Sequence, residues 1–118
     1  MKDWNDRLNT PGTNAIKPSP RQVDDFIRSI PEGVEMDVRA LRTALALEHG
    51  ADVTCPVTIG YHLRTVSEAA HEALDRGAAL ADITPFWRVL SGRTPTTKKL
   101  SFGADFVAEQ RKREGLRD

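Results

Sequence analysis

The sequence predicts a mainly α-helical domain, a winged helix-turn-helix whose wing is a small β-hairpin. Three features of the 118-residue chain carry this expectation. Apolar residues recur at helical spacing in three successive segments between residues 19 and 76, each opened by a capping residue. A short run of strand-forming residues follows, with Gly92 and Pro95 as turn signals and a return at Lys98-Lys99-Leu100. A capped helical segment from Asp105 completes the pattern.

The length suits one domain. Residues 1–18 contain Pro11, Gly12, Asn14 and Pro18 and little apolar pattern, so they read as a flexible leader ahead of a domain over 19–118. Trp4 either docks on that domain or stands exposed. No internal repeat is visible.

The first helix opens at Ser19-Pro20-Arg21-Gln22. Serine caps, proline suits the first helical position, and the glutamine completes a capping box. Val23, Phe26, Ile27 and Ile30 form its apolar stripe, and Pro31 stops it. Glu32-Gly33 reads as a turn. The second helix starts at Asp37, a good N-cap, with Val38, Leu41, Ala44, Leu45 and Ala46 inward and Gly50 as its stop. Ala51-Asp52-Val53 link it to Thr54, which caps a third helix from Cys55 or Pro56 toward Arg76, with Gly77 after it. Ile59, Leu63, Val66, Ala70 and Leu74 give its buried stripe. Ser67–Ala73 either continues this helix or begins another.

Trp87-Arg88-Val89-Leu90 has strand composition, which makes the hairpin with Lys98-Lys99-Leu100. Asp105 then caps the last helix, through about Arg113, with Phe106, Val107 and Gln110 inward.

The formal net charge is +0, a poor profile for an indiscriminate nucleic-acid binder. Its distribution is uneven. From Phe86 onward eight Lys and Arg stand against four Asp and Glu, and before Phe86 nine stand against thirteen. A polyanion therefore meets the last third first; alternatively this is the solvated face of a charged helix. The single cysteine, Cys55, excludes an intrachain disulfide. MKDWNDRLN lacks the apolar region of a secretory signal, and no stretch approaches the ~20 apolar residues of a membrane span. A cytoplasmic protein with no membrane association is expected.

Four pieces in fixed order resemble the C-terminal domain of O6-alkylguanine-DNA alkyltransferases and the alkyltransferase-like proteins. They are Ile30-Pro31-Glu32-Gly33-Val34, Pro85-Phe86-Trp87-Arg88-Val89, Phe102-Gly103-Ala104 and Arg113-Glu114-Gly115, and the resemblance runs from about residue 20 onward. It implies a helical domain whose helix-turn-helix enters the DNA minor groove and flips a damaged base.

The functional positions depart from that family. Its Pro-Cys-His-Arg-Val motif is here Pro85-Phe86-Trp87-Arg88-Val89. Alkyl transfer needs a thiolate and a neighbouring base to generate it, and Phe86 and Trp87 supply neither. The alkyltransferase-like proteins also lack the cysteine but keep the histidine. In the family a glutamate of the last helix orients that histidine. Glu114 matches its place but lacks the partner, which leaves it as a surface charge. Met36 falls near the tyrosine that rotates the nucleotide, and Val57 replaces the arginine that fills the gap left by the flipped base. Valine can wedge between bases but cannot pair with one. The stretch from Gly60 to Pro85 is longer than in the family, with an insertion around Ser67 to Leu80.

Candidate site residues follow. Thr58, Tyr61 and Arg64 fall on the exposed side of the third helix and, with Val57, are the candidates for a groove contact. Arg88, Arg93, Lys98 and Lys99 on the wing, with Thr94, Thr96 and Thr97, are candidates for phosphate contacts. Phe86 and Trp87, adjacent on a strand, point to opposite sides. One then belongs to the core and the other to a base-stacking pocket, or both are core. Cys55 is either an activated thiol in a first helical turn or a small buried residue. His49, His62 and His71 lack metal-ligand spacing, and His71-Glu72 reads as a polar helix face.

These readings give three functions in descending order. The first is a non-catalytic, monomeric DNA-binding protein, akin to the alkyltransferase-like damage sensors, taking double-stranded DNA, alkylated or undamaged, without a cofactor. The second is a protein-interaction domain that no longer binds DNA. The third is an enzyme, with Cys55 as alkyl acceptor or with an unrecognised hydrolase activity.

Overall fold

A computed structural model describes residues 20–48 and 56–116. The leader, Cys55 and the link at 49–55 lie outside the described residues. Four α-helices occur among them, with no strand: α1 (Pro20–Arg28), α2 (Val38–Glu48), α3 (Pro56–Asp75) and α4 (Asp105–Glu114).

Asp37 caps α2 as its residue type requires, its Oδ1 accepting the Ala40 N–H at 2.7 Å. The 20-residue α3 is continuous, so Ser67–Ala73 belongs to it. It ends at Gly77, whose φ of 104° lets the Ala78 N–H return to the Ala73 carbonyl at 3.0 Å. Most of the segment from Ser67 to Asp75 and onward to the left-handed turn at Gly77 is therefore helix.

The apolar stripes meet in one core. Val23 and Ile27 of α1, Leu41 and Leu45 of α2, and Ile59, Leu63 and Val66 of α3 are fully buried there with Val107 of α4. Helix α3 packs on α1 and on the segments after it, and α4 packs on the turn at Phe86–Arg88. Phe102 and Phe106 flank Phe86, with ring centroids 5.7 Å from it in both cases. Such aromatic pairs contribute roughly 0.5–1.5 kcal/mol each beyond area burial. His71 lies at the edge of the polar face: its ring stacks on Phe102 at 4.0 Å while its Nδ1 lies 3.5 Å from Asp75 Oδ2.

The expected hairpin is replaced by two 3-10 turns, Phe86–Arg88 and Pro95–Lys99. Phe86, Trp87, Val89 and Leu90 are all buried, and Arg88 alone is partly exposed. A strand would put alternate members of that run on opposite faces. A tight turn instead sends them all inward. The return segment is held without a ladder as well. The Ser91 N–H donates to Thr94 Oγ1 at 3.0 Å, and Thr97 Oγ1 donates to the Ser91 carbonyl at 2.7 Å.

Candidate nucleic-acid interface

The N-terminal turn of α2, one turn of α3 and the Ser91–Lys99 segment enclose an open cleft of about 610 Å³. Arg39 comes from α2, Tyr61 and Arg64 from α3, and Arg93 and Lys99 from the segment after Leu90. Asp37 is the one carboxylate in the lining, against four cations, and its Oδ1 already accepts the α2 cap bond. The cleft is thus a concentration of positive charge on a chain of zero net charge, which attracts a polyanion. The hydroxyl bonds that brace Ser91, Thr94 and Thr97 fix the loop carrying Arg93. The Arg93 N–H itself donates to Ser91 Oγ at 3.2 Å.

Six residues expected from sequence meet in this cleft: Tyr61, Arg64, Arg93, Thr94, Thr96 and Lys99. Arg64 also lies 4.0 Å from Glu68, one turn further along α3. Lys98 is exposed on the same turn as Lys99 but outside the cleft lining. Val57 and Thr58 lie in the first turn of α3, and their side chains are outside the described residues. Thr96 lines the cleft, whereas Thr97 is fully buried and serves the loop. Arg39 was missed because its segment was read only for its cap and inner face. Its signal was an arginine in the exposed first turn of a helix.

Arg88 belongs elsewhere. Its side chain is 13% exposed and the Glu114 side chain 0%. Arg88 Nε donates to Glu114 Oε1 at 2.8 Å and Nη2 to Oε2 at 3.1 Å, while Nη1 donates to the Ile30 carbonyl at 2.7 Å. This fork-to-fork geometry uses the guanidinium internally, so Arg88 is a structural residue and not a phosphate contact.

Glu114 is likewise no surface charge. Besides Arg88, it accepts the Gly33 N–H on Oε1 at 2.9 Å and Trp87 Nε1–H on Oε2 at 2.6 Å. Burial by itself raises the pKa of its carboxyl. The bonds from Arg88, Gly33 and Trp87 and the Arg88 charge outweigh burial and lower it from 4.5 to about 2. Gly33 has φ +80°, a conformation that suits glycine and aims its amide at the carboxylate.

Phe86 and Trp87 are both core, 0% and 2% exposed. Phe86 presents nothing to a ligand. Trp87 contributes only an edge to a depression of about 410 Å³ beside Leu80, Pro85 and Arg113. The expectation that one of the pair forms a stacking platform is corrected on this ground. A 3-10 turn abolishes the alternation on which it rested.

Among the described residues no group of three or more His, Cys, Asp or Glu side chains could hold a metal ion. No helix among them is long and apolar enough to cross a membrane. No family model, curated protein or solved structure matches this chain.

Proposed function

We propose that this protein is a helical, alkyltransferase-like DNA-binding module, with a braced loop in place of a β wing, that acts without covalent chemistry. The observation that carries the reading is the cleft, where Arg39, Arg64, Arg93 and Lys99 face one carboxylate. Phosphates seat on such a rim and release counterions as they do so. The resemblance adds that the DNA is a duplex and that alkylated guanine is the base to try first. Phe86 supports binding rather than transfer. It stands where the resemblance places a reacting thiol, and it is a hydrocarbon ring sealed in the core.

The test is titration of a labelled duplex carrying one O6-methylguanine, and of its undamaged twin, at about 50 mM and about 200 mM salt. Four phosphate contacts predict an affinity loss on the order of 100-fold over that range. Equal, salt-sensitive binding supports a module that reads the backbone, and selective binding supports a damage sensor. Absence of binding to both at the lower salt overturns the reading and favours a protein partner.

A further inference from the structure

We propose that the cleft takes a single-stranded DNA segment and that Tyr61 is the platform on which one of its bases stacks. This rests on the DNA-binding reading above and specifies which form of DNA enters the cleft.

Tyr61 is the only tyrosine of the chain, and it is 62% exposed. The other aromatic rings among the described residues are spent on the core. Phe86 and Trp87 are buried in it, and Phe26, Phe102 and Phe106 pack against it. Among the aromatic rings of the described Phe, Trp and Tyr residues, Tyr61 alone keeps its ring outside, on the lining of the cleft, with Arg64 one turn further along the same helix and Arg39, Arg93 and Lys99 around it. An exposed ring interleaved with cations suits single-stranded nucleic acid. Cations track the phosphates while the ring stacks on a base, and every base has a face to offer.

Gly60 lines the cleft beside that ring. It lies inside α3, where glycine costs about 1 kcal/mol relative to alanine. A Cβ there would come to 3.6 Å from Thr96 Oγ1. That is an ordinary contact distance, so the glycine leaves a gap of one methyl group between α3 and the Pro95–Lys99 turn.

Size then chooses between the forms of DNA. A cleft of about 610 Å³ falls in the range of pockets that enclose one small ligand. It accommodates an unpaired nucleotide or two, while a duplex lies across its mouth on the rim cations.

The experiment is fluorescence anisotropy at low salt with a labelled single-stranded oligonucleotide and with the duplex formed from it, using wild type, Tyr61→Ala and Tyr61→Phe. Tyr61→Ala is expected to weaken single-strand binding by roughly 5- to 150-fold and to weaken duplex binding much less. Tyr61→Phe keeps a ring and is expected to retain the affinity. Unchanged single-strand affinity in Tyr61→Ala overturns the stacking role, and an equal loss on both forms overturns the single-strand assignment. Failure of wild type to bind either form overturns the DNA reading itself. Thermal melting of the variants reports whether they stay folded, as expected for a residue this exposed.

Discussion

Trp87 Nε1 donates to Glu114 Oε2 over 2.6 Å, and this bond joins the turn at Phe86–Arg88 to the last residue of α4. The same carboxylate takes two bonds from Arg88 and one from the Gly33 amide. Four donors converge on two oxygens that have no contact with water. The stretch that resembles an alkyltransferase active-site motif serves here as a junction of the scaffold.

Glu114→Gln puts an amide NH2 against donors and leaves Arg88 with no carboxylate partner. Removal of one member of a buried ion pair costs about 3–5 kcal/mol. A large drop in the urea midpoint is expected, with the same slope if the denatured state is unaltered. A loss below about 1 kcal/mol would show that the pair is not closed in solution.

The junction also sets a pH dependence. The folded-state pKa of Glu114 lies at about 2, below its ordinary 4.5. Its contribution is therefore fully present above pH 4.5 and is lost as pH falls from 4.5 toward about 2. That difference corresponds to roughly 3 kcal/mol. The gap in stability between wild type and Glu114→Gln should narrow over this acid interval and stay constant above it. Urea titrations at a series of pH values read it directly.

Asp24 is expected to be a second anchor. It is fully buried in α1, accepts Arg28 Nε at 3.0 Å, and takes the Thr84 hydroxyl on its other oxygen. Asp24→Ala strands that hydroxyl and is expected to cost about 2–4 kcal/mol. Thr84→Val removes the other partner, keeps the shape and should cost less. Amide hydrogen exchange would locate the damage at Ile83 and Thr84 if the anchor acts locally.

Gly33→Ala tests backbone conformation without a clash. The nearest heavy atom to the new Cβ, the Glu114 carbonyl oxygen, is 3.9 Å away. The expected loss is about 1–2 kcal/mol, from the left-handed φ alone. A melting curve superimposable on wild type would show that this turn relaxes freely.

In the cleft, Arg93→Ala and Lys99→Ala should each flatten the slope of log affinity against log salt by about 0.9 for duplex DNA. Lys98→Ala, outside the lining, should change it less. Equal slopes for all three variants and wild type would remove the cleft from the interface.

The helices were legible because their signals are local. Asp37 caps α2, Gly77 ends α3, and Ile59, Leu63 and Val66 repeat with the helical period. Tyr61 and Arg64 were recognisable as outward residues by the complement of the α3 stripe, and Lys99 by its place after the turn signals at Gly92 and Pro95. The run Phe86–Leu90 misled because strand propensity largely measures a residue's fitness for a half-buried pleated surface, and this run is buried nearly throughout. Glu114 and Arg88 were misjudged for another reason. They are 26 residues apart, and no local pattern records which distant charge a side chain meets.

The bond from the Gly33 amide to Glu114 joins residues 81 positions apart. During synthesis, the turn after α1 leaves the ribosome long before its acceptor has been made. Until Glu114 emerges, Arg88 lacks this counter-charge and the Gly33 amide this acceptor, so the junction itself closes only once the last helix has been made. A nascent chain stalled before that residue would display an uncompensated guanidinium to chaperones and proteases.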